Sequence, residues 1–203
     1  MVSLCNYLPA TMTISHQHQF IFIHVHRTGG SNLRSMLKTA LGSDLQTDVP
    51  HGNANTREAM QLSKYPDYFV FGFVRNPWER MLSWYRLIHK WSPGSVEHDR
   101  MQFQQFLESD GAAAPSDTYF HYNQLDYFPE GYRDLGKVQI FRYEDYNNEV
   151  NRLIRQLGLP PMEITRHNGT RSVDHHHYYT EESVRWVRQH CARDISHFNY
   201  TFQ

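Results

Sequence analysis

The chain has 203 residues, 39% hydrophobic and 14% aromatic, a composition suited to one globular domain with a buried core and not to a disordered chain. Its 20 Lys and Arg against 21 Asp and Glu leave a formal charge of −1. That excludes a strongly basic nucleic-acid or membrane-surface binder while leaving room for a local basic pocket.

Residues 1–19 read as an N-terminal extension of uncertain order, at the start of a single domain over 1–203. They carry neither a basic start nor a continuous apolar block, so neither a signal peptide nor a membrane anchor is expected. Cys5 and Cys191 suggest no disulfide framework, and the expected location is cytoplasmic. Residues 20–25 form a mostly apolar run suited to a buried strand. A polar turn from His26 to Gly30 follows, and then Leu33, Met36, Leu37 and Leu41 mark an amphipathic helix. Asn55 and Glu58 have capping-box spacing, which predicts a second helix from about Thr56.

Tyr68–Val74 reads as a second buried strand. It stops at Arg75-Asn76-Pro77, where Asn76 suits a helix cap and Pro77 a first turn. Trp78, Met81, Leu82, Tyr85 and Ile88 supply that helix's apolar stripe, and Gly111–Asp117 reads as a loop. Lys137–Arg142 is expected as a third strand. Val150, Leu153, Ile154 and Leu157 then predict a helix ending near Gly158, and Val184, Val187, Cys191, Ile195 and Phe198 a last one. The alternation predicts an α/β fold, a mainly parallel sheet flanked by helices.

In such sheets ligands bind beyond the carboxyl ends of the strands. After the first strand come Arg27, Thr28, Gly29, Gly30, Ser31 and Asn32. Glycines let the backbone approach a ligand, the amides opening a helix face an anion, and Arg27 adds a fixed charge. Two glycines between strand and helix are also what a plain turn requires. The segment lacks the G-x-x-x-x-G-K-[ST] spacing of nucleoside triphosphatases, which weakens an ATPase or kinase reading. The second strand delivers Arg75 to the same sheet edge. Ser83, nearly two turns beyond Asn76, faces the cleft beside it. An arginine and a hydroxyl flanking one space suit a second phosphate. Each alone also fits an ordinary surface arginine or helix serine, but two anion sites at adjacent strand ends favour a ligand with separated phosphate groups.

These segments resemble a known family. FIFIHVHRTGGSNLRSML is similar to the 5′-phosphosulfate loop of the carbohydrate-type (family 2-like) sulfotransferases, and FGFVRNPWERMLSWYR to their 3′-phosphate segment. VQIFRYEDY, RHNGTRS and the terminal HFNYTF follow in the family's order, so the resemblance runs from about Phe20 to Phe202. It implies a P-loop-like α/β fold and an enzyme that takes 3′-phosphoadenosine-5′-phosphosulfate (PAPS) as co-substrate, with no metal. By position Arg27 to Asn32 would hold the 5′-phosphosulfate, Arg75 and Ser83 the 3′-phosphate, and Thr170 and Arg171 a loop that closes over the nucleotide. Two departures stand out: Arg27 replaces the family's usual lysine, and Gly169 replaces a basic residue.

Transfer to a hydroxyl requires charge stabilisation at the leaving phosphate, which suits Arg27, and a base for the acceptor proton, which suits a histidine at neutral pH. Among 14 histidines, His51 is the choice, because it falls in the loop between the first and second expected helices, from which the cleft is within reach, and because the resemblance implies a histidine base in this stretch. A solvated loop histidine is the plain alternative, and His24 and His26 are the reserves. Consecutive His175, His176 and His177 cannot easily aim three rings at one ion, so no metal site is expected. The expected acceptor is a carbohydrate or small alcohol. A non-catalytic protein binding PAPS or adenosine bisphosphate, and a P-loop nucleotide kinase, are the alternatives. Neither nucleic acid nor an integral membrane segment is expected.

Overall fold

The computed structural model describes residues 11–50, 62, 64–88, 95–110, 122–134, 136–164 and 175–202. In chain order the strands are β1 (Thr11–Ser15), β2 (Phe20–Ile23), β3 (Leu45–Pro50), β4 (Phe69–Val74) and β5 (Val138–Arg142). The helices are α1 (Gly30–Leu41), α2 (Pro77–Ile88), α3 (Val96–Gln105), α4 (Glu130–Asp134), α5 (Tyr146–Gln156), α6 (Glu181–His190) and α7 (Ala192–Phe198).

The sheet order is β3-β1-β2-β4-β5. β2, β4 and β5 pair in parallel, and β1 runs antiparallel to both β2 and β3, so four of the five strands point the same way. This is the expected α/β architecture, enlarged by a β1–β2 hairpin and by β3. Neither added strand has a continuous apolar run: β1 buries only Met12 and Ile14 among its apolar residues, and β3 contains Asp48 and Pro50.

Both faces of the sheet are covered, and the strands alternate between two cores. Phe20, Phe22, Phe71, Phe73 and Phe141 point to one face, where Leu33, Met36 and Leu37 of α1 and Val150, Leu153 and Ile154 of α5 pack on them. Ile21, Ile23, Val70 and Val74 point to the other, beneath Trp78, Met81, Leu82 and Tyr85 of α2. Each fully buried aliphatic or aromatic side chain contributes roughly 1.5–3 kcal/mol. The period-2 pattern with apolar residues on both sides is what an enclosed parallel strand needs. The phenylalanines also stack, Phe22 on Phe71 at 5.2 Å and Phe73 on Phe141 at 5.2 Å.

The helix ends follow local chemistry. Asn76 Oδ1 accepts from the Trp78 amide at 3.1 Å, so the cap and Pro77 at the first turn stand as expected. α5 closes at Gly158, whose φ of 66° is left-handed. α6 opens on a capping box between Thr180 and Ser183. The single terminal helix expected from Val184 to Phe198 is instead two, α6 and α7, broken at Cys191. The expected helix near Thr56 and the loop at 111–117 lie outside the described residues. No described helix is long and apolar enough to cross a membrane.

Candidate functional site

The loop leaving β2 is held from inside. Thr28 is buried, and its hydroxyl donates to the Val25 carbonyl at 2.8 Å, closing the turn. Arg27 and Gly29 both take left-handed φ values, 67° and 82°. For Arg27 that conformation costs roughly 1–2 kcal/mol, the kind of strain that surrounding contacts must hold in place. The Gly29 carbonyl accepts from the amides of Asn32 (3.1 Å) and Leu33 (3.2 Å), starting α1, and from the Tyr146 hydroxyl at 3.0 Å. Burial pushes the Tyr146 phenol up to about 12, so it remains a donor at neutral pH.

Both glycines are required by their neighbours. A Cβ at Gly29 would lie 2.7 Å from Tyr146 and 3.0 Å from Tyr143, and one at Gly30 only 2.1 Å from Cδ2 of His24. The loop backbone is therefore pressed between tyrosine rings on one side and an imidazole on the other. α1 opens directly from it, and the first amides of a helix attract anions. Ser31 is exposed, and the Asn32 amide nitrogen sits 3.8 Å from the Met36 sulfur.

The two arginines line one side of α2. Arg27 donates to Ser83 Oγ from Nε at 3.1 Å and from Nη2 at 2.8 Å. Arg75 donates to Glu79 Oε2 from Nε at 3.1 Å and from Nη2 at 3.0 Å, and its guanidinium lies 4.4 Å from the centre of the Tyr143 ring. Glu79 and Ser83 are one turn apart, so successive turns of α2 receive successive arginines. Ser83 thus takes Arg27, while Arg75 takes a carboxylate and an aromatic face. Tyr143 touches both halves of the site, beside Gly29 and beneath Arg75.

Of the residues that complete this edge, His24 and His26 are the reserve bases expected from the sequence, whereas Arg80 and Gln124 escape a sequence reading. Arg80 is 1% exposed and donates to the carbonyls of His26 (2.9 Å) and Tyr122 (3.0 Å). His26 Nδ1 lies 2.9 Å from the Tyr127 hydroxyl. His24 stacks between Phe22 and His26, against Gly30. The backbone of Arg75 is bonded on both sides by the Gln124 side chain. Arg80 lies off the stripe of Trp78, Met81, Leu82 and Tyr85, so helical spacing carried no signal of its role. His51, Thr170 and Arg171 lie outside the described residues. In the histidine run, His177 lies 3.4 Å from Asp99 while His175 and His176 pack on Phe202. Among the described residues no cluster of His, Cys, Asp and Glu has the arrangement of a metal site.

Adjacent parallel strands therefore deliver a glycine loop with Arg27, and then Arg75, to one edge of the sheet. This defines an α/β protein with two arginines and a glycine loop at neighbouring strand ends. The sulfotransferase family model matches residues 10–201, and the chain belongs to that family. No curated protein sequence matches the chain significantly. The crystal structure of a sulfotransferase from Alicyclobacillus acidocaldarius is similar, with 15% identity and a TM-score of 0.36, over 73% of this chain and 61% of that one. This chain thus spans less than two thirds of that protein's length.

Proposed function

We propose that the chain transfers a sulfuryl group from PAPS to the hydroxyl of a carbohydrate or small alcohol. The observation that carries this reading is the adjacency of the Arg27 loop and Arg75 at neighbouring strand ends, in a chain that belongs to the sulfotransferase family. A donor with phosphate groups at both ends of its ribose needs two separated cationic sites, and the spacing of loop and strand end offers them. The tight backbone at Gly29 and Gly30 suits the group, because it leaves helix-opening amides without side chains in front of them.

In this reading Arg27, Thr28, Gly29, Gly30, Ser31 and Asn32 hold the 5′-phosphosulfate. Arg75 holds the 3′-phosphate, with Ser83 supporting it, and Thr170 and Arg171 close over the nucleotide. The transfer forms a bond from acceptor oxygen to sulfur and breaks the bond from sulfur to the leaving phosphate oxygen. Arg27 stabilises the charge that develops on that phosphate. His51 takes the acceptor proton, at the side of sulfur opposite the leaving group. Arginine in place of the family's lysine keeps the charge and adds a planar fork of donors, which Ser83 already orients from Nε and Nη2.

The test is transfer from labelled PAPS across a panel of simple sugars, glycolipids and small alcohols, read by product mass. Calorimetry with adenosine 3′,5′-bisphosphate and adenosine 5′-monophosphate accompanies it. Wild type is expected to transfer label and to prefer the bisphosphate. Arg27→Ala should slow transfer about a hundredfold, the scale of losing one preorganised donor. His51→Ala should slow it about a hundredfold or more while leaving nucleotide affinity in place. Tight nucleotide binding with no transfer to any acceptor would instead describe a nucleotide-binding protein. Phosphorylation driven by ATP would describe a kinase.

A further inference from the structure

Arg75 is the first residue beyond β4, where the ladder to β5 ends at the pair Val74 and Arg142. Its backbone has a replacement for the lost strand. Gln124 Oε1 accepts from the Arg75 amide at 2.8 Å, and Gln124 Nε2 donates to the Arg75 carbonyl at 2.8 Å. One primary amide thus reproduces a two-bond strand pairing at the residue that would grip the second phosphate.

Gln124 is fixed in turn by Asp194 of α7. Asp194 Oδ2 accepts from Gln124 Nε2 at 2.9 Å and from the Gln124 amide at 2.6 Å, and Oδ1 accepts from the Leu125 amide at 3.0 Å. Gln124 and Asp194 are both fully buried. The contact is reciprocal, since Asn123 Oδ1 accepts from the amides of Arg193 and Asp194 and caps α7. The carboxylate also settles which way the Gln124 amide points. Turned over, its oxygen would face both Asp194 and the Arg75 carbonyl, three acceptors with no proton among them.

We propose that Gln124 and Asp194 are positioning residues for Arg75, so that a helix near the end of the chain sets the affinity of the second phosphate site. Resting on the reading of Arg75 given above, the inference names what holds that residue in register. The guanidinium has its own partners, Glu79 and Tyr143, but they restrain its tip. The clamp restrains the Cα from which the tip is reached. A gripping side chain is effective only while its supporting layer holds it within a fraction of an ångström.

Gln124→Met keeps the length of the side chain and removes all of its hydrogen bonds. Asp194→Asn keeps the shape of the carboxylate and removes one acceptor, and serves if the first variant does not fold. Calorimetry should show affinity for adenosine 3′,5′-bisphosphate falling about tenfold in Gln124→Met, as when a ligand's supporting partner is removed, with affinity for adenosine 5′-monophosphate unchanged. Asp194→Asn should fall in the same direction by less. Hydrogen exchange at the Arg75 amide should accelerate in both. An unchanged bisphosphate preference in the folded variants overturns the inference alone, as does a parallel loss for both nucleotides, which marks general loosening. A wild-type protein with no preference between the two nucleotides overturns the reading of Arg75, and the inference with it.

Discussion

At the first helical residue of α1, the space a methyl group would need is filled by another side chain. A Cβ on Gly30 would come within 2.1 Å of His24 Cδ2. Gly30 does not adopt a left-handed φ, so alanine would favour the helix on backbone grounds alone. The clash reverses that sign. Gly30→Ala should destabilise the protein by about 1–3 kcal/mol, the scale of overpacking, and on the proposed function it should also weaken nucleotide binding by displacing the loop. Adding His24→Ala should restore much of the stability. Urea unfolding of the two singles and the double measures the coupling, and simple additivity would mean that His24 is not what excludes the methyl. The residue types of this loop were legible in the sequence, because glycines and an arginine between an apolar run and a helical stripe have few uses. Their partners were not. Arg27 meets Ser83 across 56 positions, and Tyr146 meets Gly29 across 117, separations that no local window spans.

Among the elements, α2 is the one whose beginning the sequence marks most clearly, and it carries two of the site's acceptors, Glu79 and Ser83. Asn76 caps it through Oδ1 and also donates from Nδ2 to the Thr201 carbonyl at 3.0 Å, joining the helix start to the chain's last residues. Asn76→Ala should cost about 1 kcal/mol for the cap, and more if the second bond matters. In a domain of this size that lowers Tm by roughly 2–4 °C, measurable by calorimetric melting. No change in Tm would mean that solvent caps the helix equally well. The break between α6 and α7 shows where periodicity stops being informative. Val184, Val187, Cys191, Ile195 and Phe198 keep helical spacing across it, yet Cys191 leaves helical geometry with ψ of 25°. Asn123 caps the amides of Arg193 and Asp194 from another part of the chain, and so starts a new helix there. β1 escaped notice for a related reason. It is short, half polar, and defined by its neighbours in the sheet more than by its own residues.

At the scale of the whole molecule, the end of the chain straps the carboxyl ends of β4 and β5. Arg142 donates to the Phe198 carbonyl, Tyr200 to Glu144 Oε2 at 3.3 Å, and Asn76 to Thr201. Asp194 lies at the root of this strap, fully buried. Burial pushes its carboxyl above the ordinary value of 3.8, and the N–H groups of Gln124 and Leu125 together with the Arg80 charge only partly oppose that rise. The consequence for stability has a definite sign. The folded protein keeps the Asp194 proton to a higher pH than the unfolded chain does. Between the two pKa values the native state therefore holds more protons, and stability falls as pH rises. The favourable contribution is complete below the unfolded value, and it is lost as pH passes through the raised folded one. Asp194→Asn removes the titration. Urea unfolding of both proteins from about pH 3 to 7 should then show wild type's advantage over the variant greatest at the acid end, declining to a plateau above the carboxylate range. An advantage that grows with pH would mean that the three N–H bonds outweigh burial. The ionised carboxylate would then be the form that the strap is built to hold.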